Sequence, residues 1–298
     1  RGLGDVYKRQ GMCFVPETPR WLLSKGRLKE CRKVLQKIEP ENTVNDLIGQ
    51  MEVEIEKDRN SAVGWRYLMQ PWLRTPLMIA VCIMFFQQFV GINTVIYYSP
   101  KIFLMAGFES TLSAIWASVG IGIVNVVFTV ISLYLVDRIG RRKLYFIGLS
   151  GIAFSVLCLS ACFIYANQLG EIGRWLMVIF MFGYVAFFAI SIGPLGWLVI
   201  SEIFPQKVRG LGTSIGSLAV WIFNCIVSFT FFKIIDFFSI PGTEIVVGQT
   251  TSENPAGAFF LYGFIAVLGL VWGYLFLPET KGLSLEEIEQ KWRKNREC

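Results

Sequence analysis

Between Gln87 and Tyr98 the sequence reads QQFVGINTVIYY, inside an apolar run from Pro76 to about Phe103. Buried polar groups need partners, so Gln87, Gln88 and Asn93 mark a candidate functional site rather than filler. Their chemistry is that of neutral hydrogen bonding. Each carboxamide offers two donors and an acceptor oxygen, which matches the mixed donor and acceptor character of a polyhydroxylated solute. Aromatic rings, such as those of Tyr97 and Tyr98 nearby, can cover the C–H face of such a solute. Nothing in the stretch calls for a charged ligand.

An unbroken helix would not gather these groups. At about 100° per residue, Gln87, Gly91, Thr94 and Tyr98 share one face, while Gln88 and Asn93 fall well off it. A discontinuity near Gly91 would let the amides converge, and helices broken near the midplane build many substrate sites. The alternative is that the amides only join neighbouring helices. Three further stretches raise the same choice. Asn125 sits at the centre of the next apolar segment, either as interhelical contact or as ligand group. Gly193, Pro194, Gly196 and Trp197 interrupt a later one, as a hinge carrying an aromatic ring or as a packing kink. Trp221 and Asn224, three residues apart, share a helical face.

Composition sets the surroundings. Of 298 residues 54% are hydrophobic and 15% aromatic, with no histidine, which excludes histidine catalysis and histidine metal sites and indicates a polytopic membrane protein. The seven cysteines, at 13, 31, 82, 158, 162, 225 and 298, have no metal-ligand spacing and imply no disulfide framework. No nucleophile and base pair, metal cluster or phosphate loop is visible, so neither an enzyme nor a cofactor is expected. Apolar stretches of spanning length occur near 76–99, 112–136, 144–166, 175–201, 211–233 and 256–277. The net charge of +6 reads as orientation rather than nucleic-acid binding. Alternate connections carry most of the lysine and arginine, against Lys101, Arg174 and Lys233 on the opposite side, which places both ends in the cytoplasm.

Residues 1–10 are too polar for a membrane segment and read as a junction leader, and 11–15 as the end of a truncated preceding helix. A soluble helical insert covers 16–75. Thr18 before Pro19 opens a helix reaching about Pro40 with Trp21, Leu22, Leu28, Val34, Leu35 and Ile38; Thr43 with Asp46 opens a second through Met51 and Ile55; Gly64 to Met69 forms a short turn. Whether this insert is a solvated hairpin or packs beneath the bundle stays open. Residues 76–277 make the membrane bundle. In 278–298, Ser284 with Glu287 caps a tail helix.

Six motifs in this order, PETPR (16–20), QQFVGIN (87–93), DRIGRR (137–142), GPLGW (193–197), SEIFPQKVRG (201–210) and PETKG (278–282), resemble the C-terminal half of a sugar porter of the major facilitator superfamily. The resemblance covers residues 14 to about 290 and extends to glucose facilitators and bacterial pentose and hexose proton symporters. It implies an all-α membrane protein: the C-terminal six-helix half of a twelve-helix fold, plus a cytoplasmic helical insert.

By that resemblance Gln87, Gln88, Asn93, Asn125, Trp197, Trp221 and Asn224 contact a monosaccharide, and Gly91, Tyr97, Tyr98, Gly193 and Pro194 serve gating or hinge motion. Trp221 and Asn224 match an N-W-x-x-N element whose first amide is Val220 here, a departure that favours a polyol or inositol as the alternative substrate. Arg138, Arg141, Arg142, Glu202, Arg209 and Glu279 match a cytoplasmic charge network that holds the outward-open state and that the insert braces. The expected partners are a monosaccharide, a proton where transport is coupled, the bilayer of a plasma or inner membrane, and the N-terminal half that this chain lacks. The first helix of that half carries the family's coupling acid. A sugar sensor without transport is the reading from another class, disfavoured by the short stretch after Leu277.

Overall fold

The computed structural model describes residues 17–38, 40, 43–60, 70–108, 110–238, 245–247, 250–279 and 281. The leader at 1–10, the helix end at 11–15, the turn at Gly64 to Met69 and the tail helix at Ser284 and Glu287 lie outside these. Two compact units divide the chain, residues 1–64 and 65–298.

In the first unit α1 (Pro19–Ser24), α2 (Leu28–Leu35) and α3 (Val44–Asn60) enclose Leu22, Leu23, Cys31, Leu35, Val44 and Ile48. Thr18 caps α1, its Oγ1 accepting from the Trp21 N–H at 3.4 Å, as Thr-Pro predicts. The single helix expected as far as Pro40 is two. Gly26 takes φ 74°, a left-handed conformation that ends α1. Arg27 then pairs with Glu30 at 2.6 Å across the first turn of α2. Trp21, Leu28 and Ile38 are exposed, so the core is narrower than the apolar pattern implies. Burial lifts the Cys31 thiol above its usual range, as an apolar site does.

Among its described residues the second unit contains six spans long and apolar enough to cross a membrane. The first joins α4 (Arg74–Phe89) to α5 (Ile92–Met105), and the fourth joins α8 (Ala166–Ile190) to α9 (Ile192–Ile203). Between and after them run α6 (Thr111–Ile139), α7 (Arg141–Ile164), α10 (Gln206–Phe237) and α11 (Ala256–Phe276). Between α10 and α11, β1 (Ile245–Val247) pairs antiparallel with β2 (Thr250–Ser252), in register Ile245 opposite Ser252. Near it the Glu253 carboxyl is raised, first by its hydrogen bond with Asp236, and Lys101 opposes the shift.

Lipid supplies no hydrophobic drive, so the spans associate through close packing and side-chain hydrogen bonds. Helix α7 lies against α8 and α11. The Tyr145 hydroxyl crosses to the Gly269 carbonyl at 3.0 Å, and that of Ser160 to the Ala256 carbonyl at 2.8 Å. Helix α4 meets α10 through Phe85, Phe89 and Phe223, the first two stacked at 4.2 Å. The apolar window of α7 is 56% buried and that of α6 only 17%, so α7 is a buttress and α6 shows an apolar face outward.

Candidate functional site

The first span breaks between α4 and α5. Gly91 stands at φ 86°, where residues with a Cβ are strained, and a Cβ added there would fall 2.3 Å from the ring of Tyr262. The Thr94 N–H turns to the Gly91 carbonyl at 3.1 Å, which the Thr94 hydroxyl also reaches at 2.7 Å. The second break lies between α8 and α9 at Ser191. Pro194 has no N–H to return to the Ile190 carbonyl, and Ser132 of α6 donates to that carbonyl instead, at 2.6 Å. Both interruptions thus have a chemical cause and a satisfied backbone.

Across the first break the amides converge. Asn93 Nδ2 donates to Gln88 Oε1 at 2.6 Å and to Asn224 Oδ1 at 2.9 Å. Gln88 Nε2 reaches Gln87 Oε1 at 3.3 Å, and Gln87 Nε2 donates to the carbonyls of Ile192 and Gly193 at 3.1 and 2.7 Å. A continuous hydrogen-bonded chain therefore runs from the second break through the first to α10. It continues through Asn224, which accepts from Ser228 at 3.2 Å and faces the Tyr97 hydroxyl at 3.5 Å.

This chain borders a cavity of about 370 Å³. Gln87, Gln88, Asn93, Asn125, Gly193, Pro194 and Trp197 line it, as do Ile92, Thr129, Phe188 and Ala189. Its volume is that of a small-molecule site. Among the described residues no charged side chain lines it. Gln87 Nε2 bonds two carbonyls at the second break while its Oε1 accepts from Gln88, so in this conformation Gln87 ties the two breaks together. Asn125 has no hydrogen-bond partner on its carboxamide among the described residues, and Trp197 is 47% exposed. Such an array can exchange hydrogen bonds with several hydroxyls while Trp197, Phe188 and Ile92 cover carbon.

Other predicted residues lie elsewhere. Trp221 is 65% exposed and does not line the cavity, while Val220 is buried in the bundle. Tyr98 docks α5 on α10, stacking on Phe231 at 5.5 Å and donating to the Ser228 carbonyl at 3.3 Å. Thr129 is the lining polar residue that the sequence reading passed over. Its signal is one helical turn after Asn125, whose carbonyl it bonds at 2.7 Å.

The charged residues gather in part. Arg141 contacts Glu202 at 2.9 Å and Asp137 at 3.3 Å. Glu279 accepts from the backbone N–H groups of Arg141 and Arg142, each at 3.1 Å, and Arg142 donates to the Tyr274 carbonyl at 2.9 Å. Arg138 takes part through its carbonyl, which accepts from Lys281 at 2.7 Å, and its side chain is exposed. Arg209 has Nε and Nη2 buried without hydrogen-bond partners among the described residues.

Six apolar spans, two interrupted beside an uncharged cavity, are the build of a secondary transporter half. The family model described as "Sugar (and other) transporter" matches residues 9–292. The chain belongs to this family of major facilitator superfamily sugar porters, which are transporters and not enzymes. It is 35% identical over 285 residues to the probable metabolite transport protein CsbC of Bacillus subtilis, covering 95% of this chain and 58% of that protein. The glucose transporter GlcP of Staphylococcus epidermidis is 35% identical over 283 residues, covering 95% and 59%. The solved proton:xylose symporter XylE of E. coli, bound to 6-bromo-6-deoxy-D-glucose, superposes with TM-score 0.68 at 33% identity, covering 93% of this chain and 55% of that one. The chain thus spans somewhat over half the length of the relatives it matches.

Proposed function

We propose that the complete protein carries a monosaccharide, a hexose or a pentose, across the membrane by alternating access, with the sugar held in the cavity beside the two breaks. The observation that carries this reading is the convergence of Gln87, Gln88 and Asn93 on one wall, with Asn125 and Trp197 lining the same space. An uncharged site of this size suits weak binding: millimolar affinity corresponds to about 4 kcal/mol and permits quick release.

Transport is proton-coupled in this reading, which the name of the XylE relative supports. The coupling acid then lies outside this chain, since Asp137, Glu171, Glu202 and Asp236 all fall towards the ends of the described spans. The excess of lysine and arginine on alternate connections puts the insert at 16–75 and the segment after Leu277 in the cytoplasm of a plasma or inner-membrane carrier. There the Arg141, Glu202 and Glu279 cluster holds the outward-open state. The Arg141–Glu202 pair, with side chains only 14% and 22% exposed, breaks on inward opening and so biases the transition.

The test uses the complete protein in proteoliposomes and follows counterflow of D-glucose, D-xylose and myo-inositol. Asn93→Ala removes the side chain that joins Gln88 to Asn224 and abolishes counterflow at unchanged protein level. Undiminished counterflow removes the cavity assignment. Counterflow of myo-inositol alone identifies a polyol carrier, and sugar binding without counterflow identifies a sensor.

A further inference from the structure

The break between α4 and α5 is braced from α8 and α11, by side chains that do not line the cavity. The Val90 carbonyl would accept from the Thr94 N–H in a continuous helix, but that N–H has turned to Gly91. Tyr184 of α8, fully buried, donates its hydroxyl to the Val90 carbonyl at 2.8 Å. The ring of Tyr262, also buried, occupies the place where a Cβ on Gly91 would stand. Gln88 and Asn93 flank this point, and their contact at 2.6 Å exists only because the backbone turns between them.

We propose that Tyr184 is a positioning residue of the cavity: its bond to the Val90 carbonyl fixes the helix break that brings Gln88 and Asn93 together. Without the hydroxyl a buried carbonyl loses its donor. The break then loses its brace and opens more often, and each opening carries Asn93 away from Gln88. Tyr184 touches no ligand in this account and acts through the backbone.

The proposal rests on the sugar-site reading for its transport arm only. Tyr184→Phe in the complete protein keeps the ring and deletes the bond. Hydrogen exchange without ligand is expected to quicken roughly tenfold in peptides covering residues 88–94, the scale of one lost hydrogen bond, and to stay unchanged in α7 and α11. Uptake of D-glucose or D-xylose is expected to show KM raised several-fold with little change in maximal rate. A general loss of stability would instead quicken exchange throughout and lower protein yield. Exchange at 88–94 equal to the parent overturns the proposal. Where the parent takes up neither sugar, the sugar reading fails and the exchange result still decides the role of Tyr184. If Tyr184→Phe does not accumulate, 3,5-difluorotyrosine at position 184, a stronger donor, is expected to slow exchange at 88–94, and an unchanged rate is equally decisive against the role.

Discussion

A carboxamide near the middle of a membrane has a fixed number of hydrogens to place, and where they go decides what the residue does. The Gln87 amide nitrogen donates to backbone carbonyls, while the Asn125 side chain, lining the same cavity, has no bonded partner among the described residues. Two residues of the same chemistry thus differ in state: Gln87 holds the backbone of the break, and the Asn125 carboxamide keeps its hydrogen-bonding capacity at the cavity wall. Val220 supplies the contrast. From its place beside Trp221 it reads as a determinant of substrate choice, but its side chain is 6% exposed and absent from the cavity wall. Val220→Asn is therefore expected to destabilise the complete protein by roughly 1–3 kcal/mol, the cost of a buried unpaired amide, and so to lower its melting temperature. The order of preference among D-glucose, D-xylose and myo-inositol should stay the same. Competition assays beside a thermal shift check both halves, and an altered order would return Val220 to the site.

Helix-scale features divide between those that sequence announces and those that it cannot. Spanning segments were legible because apolar runs of that length have few other uses, and the interruptions were legible because glycine and proline have specific backbone costs. The split at Gly26 was not, nor was the helical turn at 166–169, which Gly170 at φ 54° divides from the rest of α8, since helix ends depend on tertiary partners that periodicity does not carry. Nor could sequence spacing disclose that Tyr184 and Ser132 serve carbonyls on other helices. The N-terminus of α7 is a case of the same kind. Gly140 at its N-cap has no side chain, and the first N–H groups, of Arg141 and Arg142, are capped from far along the chain by Glu279. Glu279→Ala should then cost about 1–2 kcal/mol, as loss of a cap does, and Glu279→Gln less, because a neutral oxygen still accepts. Thermal unfolding of the two variants measures this order, and equal shifts would show the carboxylate to act by charge alone.

At the scale of the whole molecule the cavity belongs to one side of the bundle. Its walls come from α4, α5, α6, α8 and α9, while α7 and α11 contribute no lining residue. Exposed apolar side chains lie both beside the cavity and away from it, with Trp116, Ile123 and Val130 on α6, Leu218, Trp221 and Phe229 on α10, and Phe260, Phe264 and Val271 on α11. Lipid could cover such side chains, but it could not seal a polar cavity in which the Asn125 carboxamide has no hydrogen-bond partner among the described residues. Alternating access requires that the site be closed from each side in turn, which two bundles rocking about it achieve and one cannot. Residues 1–298 expressed alone are therefore expected to enter the membrane and give no counterflow of D-glucose, D-xylose or myo-inositol. Supplying the remainder of the complete protein as a separate polypeptide should restore counterflow, and Asn93→Ala in this chain should remove it again. Counterflow by residues 1–298 alone would mean that a single bundle closes its own cavity, and the two-bundle account would fall.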